Sequence, residues 1–171
     1  MITLDQLNAL SRGEFVRQLK DIAEHSPWVA EKVRDHHPFK CKQDLIKLFK
    51  DTILSSSHDQ KLDLILAHPD LADRIGLADA DTLAELSKKE QYGAGLDQLS
   101  EDEYKRFYAL NAEYRKKFAF PFIIAVRAVD KEQILAIFQQ RVVRSYDEEF
   151  QEALKQILMI IQFRLEDMVQ S

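Results

Sequence analysis

Four glycines and four prolines are all that interrupt 171 residues, so almost nothing in this chain can break a helix, and leucine, alanine, glutamate, lysine and glutamine are plentiful between the breaks. Start signals recur along it. Ser11-Arg-Gly-Glu14 has the form of a capping box, Ser26-Pro27-Trp28 puts a proline where a first helical turn accepts one, and Ser87-Lys-Lys-Glu90 and Ser100-Glu-Asp-Glu103 repeat the box. Asp130 is placed to cap KEQILAIFQQRVV. Apolar residues follow at helical spacing, with Leu45, Leu48, Phe49 and Thr52 in one run and Leu62, Ile65 and Leu66 in the next. No linker, repeat or low-complexity tract divides the chain. The reading is all-α: a single compact multi-helix domain over residues 1–171, with about seven or eight helices. One segment stays open: FAFPFIIAV, 118–126, is apolar, β-branched and proline-interrupted, so it is either a buried extended connector or a helix start.

Charge and cysteine content narrow the partners. A net charge of −5 gives no basic footprint for nucleic acid or an anionic membrane. No apolar stretch approaches the length of a membrane span. A single cysteine, Cys41, leaves no internal disulfide and no cysteine-based metal cluster, which suits a reducing compartment. The opening MITLDQLNALSRGEF lacks the apolar core of a signal peptide, and the closing MVQS is not a peroxisomal address. The expectation is a cytoplasmic protein with no metal, no nucleic acid and no membrane among its partners.

Four places could carry chemistry, and each has a plainer reading. His68-Pro69-Asp70 follows an apolar helical run, and because proline pushes the preceding residue out of the α region, His68 is expected at a helix end, where a cation also suits the helix dipole. Ser87 and Glu90 serve equally as reciprocal caps. His36-His37-Pro38 has the look of a ligand pair, but adjacent imidazoles do not readily face one ion, and a solvated turn explains them. Arg164 rides the apolar stripe of the last helix, seven residues after Ile157, four after Ile160 and three after Ile161. It needs a partner: either its stem snorkels past the core edge, or it pairs with Glu166 or Glu90, or it faces a ligand.

Taken together, Ala67-His68-Pro69-Asp70-Leu71-Ala72, Ser87-x-x-Glu90-Gln91-x-x-Ala94-Gly95-Leu96 and Phe120-Pro121-Phe122-Ile123-Ile124 resemble, in order and spacing, the signatures of the OHCU decarboxylases, which act on 2-oxo-4-hydroxy-4-carboxy-5-ureidoimidazoline in urate breakdown. The resemblance runs upstream to SPWVAE and downstream through ALNAEYRKKFAFPFIIAVRA to RLEDM. It implies an all-helical homodimer, without cofactor, that converts OHCU to (S)-allantoin and carbon dioxide. It also implies catalytic roles for His68, as acid or base, and for Glu90. Substrate contacts would come from Pro69, from Ser87, Lys88, Lys89, Glu90 and Gln91, from Phe122, Ile123, Ile124, Ala125 and Val126, and from Arg164. One position departs from the pattern: Ser145 stands where an asparagine is expected after the RxxR stretch.

The implied chemistry is reasonable from first principles. Decarboxylation needs a place for the electron pair of the breaking C–C bond, and a conjugated ring imine beside the carboxylate is such a sink within the substrate itself. The protein must place the carboxylate and deliver a proton to one face, tasks that suit a histidine titrating near neutrality, a glutamate to orient it and an arginine fork. The competing readings are another cofactor-free lyase, hydrolase or isomerase of ureido compounds, and a noncatalytic helical interaction module.

Overall fold

The computed structural model describes residues 1–71, 94–127 and 129–170. Among them are eight helices: α1 (Leu4–Ala9), α2 (Arg12–Leu19), α3 (Pro27–Arg34), α4 (Lys42–Leu54), α5 (His58–Leu66), α6 (Glu101–Phe118), α7 (Lys131–Arg141) and α8 (Tyr146–Met168). Two short strands, β1 (Ile2–Thr3) and β2 (Val169–Gln170), pair in parallel with Ile2 opposite Val169. Contacts divide the chain into two compact units, Met1–Ala67 with Ile157–Ser171, and His68–Gln156.

The first unit is built from locally specified helices. Thr3, Ser11 and Ser57 each close a complete capping box, and Pro27 occupies the first turn of α3. Between α3 and α4 the Asn8 carboxamide imitates a strand partner, donating to the Phe39 carbonyl and accepting from its N–H, both at 2.9 Å. Its own carbonyl meets His37 Nε2 at 2.7 Å. The His36-His37-Pro38 turn thus uses one imidazole on the backbone.

In the second unit α6 opens on the Ser100–Glu103 box, with acidic residues in its first turn and Arg115, Lys116 and Lys117 in its last, in the sense the helix dipole favours. The chain leaves α6 through Ala119 in the left-handed region, φ 60° and ψ 15°, its N–H bonded to the Arg115 carbonyl at 2.9 Å. The following residues resolve the open question about FAFPFIIAV: 121–126 is a non-helical connector, buried from Phe120 to Ala125. It lies in an aromatic cluster in which Tyr114 approaches Phe118, Phe120, Phe122 and Phe138, and Phe122 stacks on Phe138 at 3.8 Å.

Ala119 is therefore a strained exit, since a Cβ in this region costs about 1–2 kcal/mol. Glycine would remove that strain but adds about 0.5–1 kcal/mol of freedom to the unfolded chain. Ala119→Gly is expected to raise the denaturation midpoint by the equivalent of about 0.5–1 kcal/mol at unchanged m-value. A lower midpoint would contradict the assignment of strain to this residue.

Candidate functional site

Helix α5 stops at Leu66, and Ala67 caps it through an N–H bond to the Asp63 carbonyl at 2.9 Å. Pro69 can neither donate to a further turn nor leave its predecessor helical, so His68 falls just past the helix end, as expected, and there it is only 6% exposed. The rest of the turn is held from α6. Arg115 Nε donates to Asp70 Oδ1 at 2.8 Å, and Asn111 Nδ2, one helical turn earlier, donates to the Leu71 carbonyl at 2.6 Å.

The second segment, Phe122 to Val126, is fixed by a buried polar network. Arg141, 2% exposed, and Glu149, fully buried, form an ion pair in which Nε and Nη2 reach Glu149 Oε2 at 3.0 and 2.9 Å. Arg141 Nη1 donates to the Ile123 carbonyl at 2.7 Å, and the guanidinium lies over the Phe122 ring, 4.3 Å from its centre. Tyr114 donates its hydroxyl to Glu149. Burial pushes the Tyr114 phenol well above its ordinary range, and the Glu149 carboxylate beside it pushes in the same direction. Downstream, the Ala125 N–H donates to Gln156 Oε1 at 2.9 Å, and Gln156 in turn donates to Glu152 at 2.7 Å. The Phe122 side chain is thus committed to the aromatic core, with Ile123, Ile124 and Ala125 also buried and Val126 half-buried.

Arg164 is buried on the stripe of α8, together with Ile157, Ile160 and Ile161. Among the described residues it meets a partner the sequence had not suggested: Nη1 lies 2.9 Å from Glu24 Oε2 and donates to the Asp21 and Ile22 carbonyls at 3.1 and 3.4 Å; Glu90 lies outside the described residues. Ser145 does what an asparagine could do there, accepting from the Glu148 N–H at 3.4 Å while its own N–H donates to Glu148 Oε2 at 2.9 Å. The Ser145 N–H, together with the Ser145 hydroxyl that donates to the same Oε2 at 2.7 Å, holds the exposed Glu148 carboxyl below its usual range. Ser87, Lys88, Lys89, Glu90 and Gln91 lie outside the described residues. His68 and the 122–126 segment both fall in the second unit, and Arg164 belongs to the first. Sequence reasoning missed Glu24, Asn111, Arg115, Arg141 and Glu149. The signal that singled out Arg164, a charge on an apolar stripe, also marks Arg141, seven residues after Ile134 and three after Phe138.

Fold and site together define an all-α protein whose candidate chemistry is acid–base, centred on a buried imidazole next to a helix end. Residues 8–166 match the OHCU decarboxylase family. A 2-oxo-4-hydroxy-4-carboxy-5-ureidoimidazoline decarboxylase of Haloferax volcanii is 39% identical over 164 residues, covering 96% of this chain and 94% of that one. The uric acid degradation bifunctional protein of Bacillus sp. strain TB-90 is 35% identical over 98% of this chain, which spans 32% of that protein. A crystal structure of an (S)-allantoin synthase superposes with a TM-score of 0.80 at 31% identity, over all of this chain and 55% of the other. The chain belongs to the OHCU decarboxylase family.

The raised Tyr114 phenol makes a prediction about pH. Below the ordinary phenol pKa of about 10, Tyr114 is protonated in both folded and unfolded chains and adds no pH dependence. Above it the unfolded phenol loses its proton while the folded one keeps it, so stability falls as pH rises, by about 1.4 kcal/mol per pH unit from this group. Tyr114→Phe should lower stability at neutral pH, by leaving Glu149 one donor short, yet flatten the fall between pH 10 and 11. Equal slopes in wild type and variant, read from denaturant midpoints, would contradict the assignment.

Proposed function

We propose that this protein decarboxylates OHCU to (S)-allantoin in urate degradation, with His68 as the group that moves the proton. The observation that carries the reading is the placement of His68: buried, directly behind Pro69, in the stretch that gives the family its resemblance, within a chain 39% identical to a named decarboxylase along almost its whole length. The family match runs without a break from residue 8 to residue 166, which supports reading 1–171 as one functional domain.

The chemistry follows from the substrate. As the C–C bond to the carboxylate breaks, carbon dioxide departs and the electron pair forms a C=C bond to the adjacent ureido-bearing carbon, displacing the imine electrons onto the ring nitrogen, which takes up a proton. A proton then delivered to the ureido-bearing carbon, with loss of the hydroxyl proton as that oxygen becomes a carbonyl, completes allantoin. An imidazole supplies that proton near neutral pH, and delivery from one side sets the S configuration. Arg164, with its guanidinium plane held by Glu24 and two carbonyls, is a directional donor suited to an oxyanion or carboxylate. Glu90 to orient the proton carrier, Ser87, Lys88, Lys89 and Gln91 on the ureido and ring amide groups, and Pro69 with the 122–126 segment as the enclosing wall complete the proposal. It rests for these residues on the resemblance. A homodimer and a cytoplasmic location belong to the same reading. Among the described residues no helix is long and apolar enough to cross a membrane.

Two experiments test this reading. Chelator-treated protein given freshly generated OHCU should accelerate its loss and yield (S)-allantoin, whereas racemic product at the spontaneous rate would overturn the assignment. On the same protein, His68→Asn should keep its melting transition and its affinity for allantoin while turnover drops about 10²–10⁴-fold. A near wild-type rate in the folded variant would move the proton to Glu90.

Arg164→Lys provides an independent check, because it keeps the charge but loses the planar fork. Substrate affinity should weaken by about 1–3 kcal/mol with the fold intact. Unchanged kinetics would make the Arg164–Glu24 pair purely structural.

A further inference from the structure

We propose that Asn111 and Arg115 are positioning residues for His68, a two-point clamp by which α6 fixes the His68–Leu71 turn and with it the direction of the imidazole. The inference deepens the decarboxylase reading and rests on it for the role of His68.

Three observations carry it. The two clamp residues are four apart on α6, so they lie one above the other on the same face, and they hold consecutive residues of the turn: Arg115 the Asp70 carboxylate at 2.8 Å, Asn111 the Leu71 carbonyl at 2.6 Å. With Pro69 fixing φ immediately after His68, the backbone is restrained on one side by a ring and on the other by these two bonds. The second observation is the cost of Asn111. It sits inside a helix, where asparagine is a poor former, and it is 7% exposed with Oδ1 lacking a hydrogen-bond partner among the described residues. Leucine or methionine would stabilise α6 better, so the carboxamide is explained by what its donor holds, not by the helix. The third is the contrast with the ordinary surface pair on the same helix: Lys105–Glu101 is an i,i+4 pair exposed on both sides, whereas Arg115 reaches 45 residues back to a carboxylate only 16% exposed. A surface pair of the first kind contributes little. The second selects one conformation of one turn.

The test compares Arg115→Gln, Asp70→Asn, their double variant, Arg115→Lys and Asn111→Ser with wild type and with Lys105→Gln as a control. The expected result is a kcat about tenfold lower in Arg115→Gln and in Asp70→Asn, with KM within about twofold and the melting transition retained. The double variant should be no worse than either single one, since both remove the same bond. Arg115→Lys should recover part of kcat, and Lys105→Gln should match wild type. A readout independent of turnover is the ¹H–¹⁵N imidazole spectrum. The His68 signals should shift in Arg115→Gln and Asn111→Ser while those of His25, His36, His37 and His58 stay in place. Wild-type kcat in folded Arg115→Gln, or His68 signals that superpose on wild type, would overturn the clamp. Should Asn111→Ser fail to fold, the half-exposed Arg115 still decides the matter. An inactive wild type whose His68 signals nonetheless shift in the variants would overturn the decarboxylase reading and leave the clamp standing.

Discussion

The second unit depends on one buried ion pair. Arg141 and Glu149 are both out of water, and a pair so placed holds together only if the remaining donors and acceptors are satisfied. Here they are satisfied by chain segments that otherwise have no regular structure to hold them. Arg141 uses its third contact on the Ile123 carbonyl, and Glu149 takes the Tyr114 hydroxyl as well as Arg144 at 3.3 Å. Three helices and the connector between two of them therefore meet at one charge pair: Tyr114 from α6, Arg141 from the end of α7, Glu149 from the start of α8, and Ile123 from the 121–126 segment. Aromatic packing supplies the area, with Phe122 caught between the Arg141 guanidinium and the Phe138 ring. The ion pair fixes the direction of the Ile123 carbonyl, and Gln156 fixes the Ala125 N–H.

Helix α6 then acts as a common reference for two of the stretches in which the proposed chemistry is placed. Its residues 111 and 115 hold the turn after His68, while residue 114 joins the network that holds Ile123, and the left-handed turn at Ala119 directs the chain from the helix into the connector. A shift or rotation of α6 would move the imidazole turn and the connector together, so their relation survives small movements that would misalign two independently mounted loops.

What the sequence made legible was local. The boxes at Ser11, Ser57, Ser100 and Asp130 form because each needs only a side chain and a backbone N–H three residues apart, and the Ser11, Ser100 and Asp130 signals were visible as such. Pro69 ending α5 and Pro27 opening α3 are equally local. The exit at Ala119 was hidden because the usual sign of a left-handed cap, a glycine, is absent. The 118–126 stretch was ambiguous because its fate is set by Arg141 and Glu149, 18 and 26 residues beyond Ile123, and no short window contains them. Arg164 showed that it needed a partner, but Glu24 lies 140 residues away in sequence. His68 was legible as a helix terminus from Pro69 alone; the role proposed for it rests on the resemblance of three motifs to the family.

The two buried arginines show how the same residue type serves different ends. Arg141 is surrounded by groups that match its fork: a carboxylate on one edge, a backbone carbonyl at the tip and an aromatic face beneath, so its charge and its directions are both spent on the connector. For Arg164 the described contacts with Glu24, Asp21 and Ile22 all fall on the single nitrogen Nη1. A neutralised pair exerts less pull on a distant anion than a lone guanidinium would, so in the proposed role of Arg164 long-range attraction has little part. What Glu24 confers is orientation: the carboxylate and the two carbonyls fix the plane of the guanidinium before any ligand arrives. That plane determines the directions in which its donors can act, and under the proposed reading a preset plane would cost nothing to reorganise as charge shifts on a ligand.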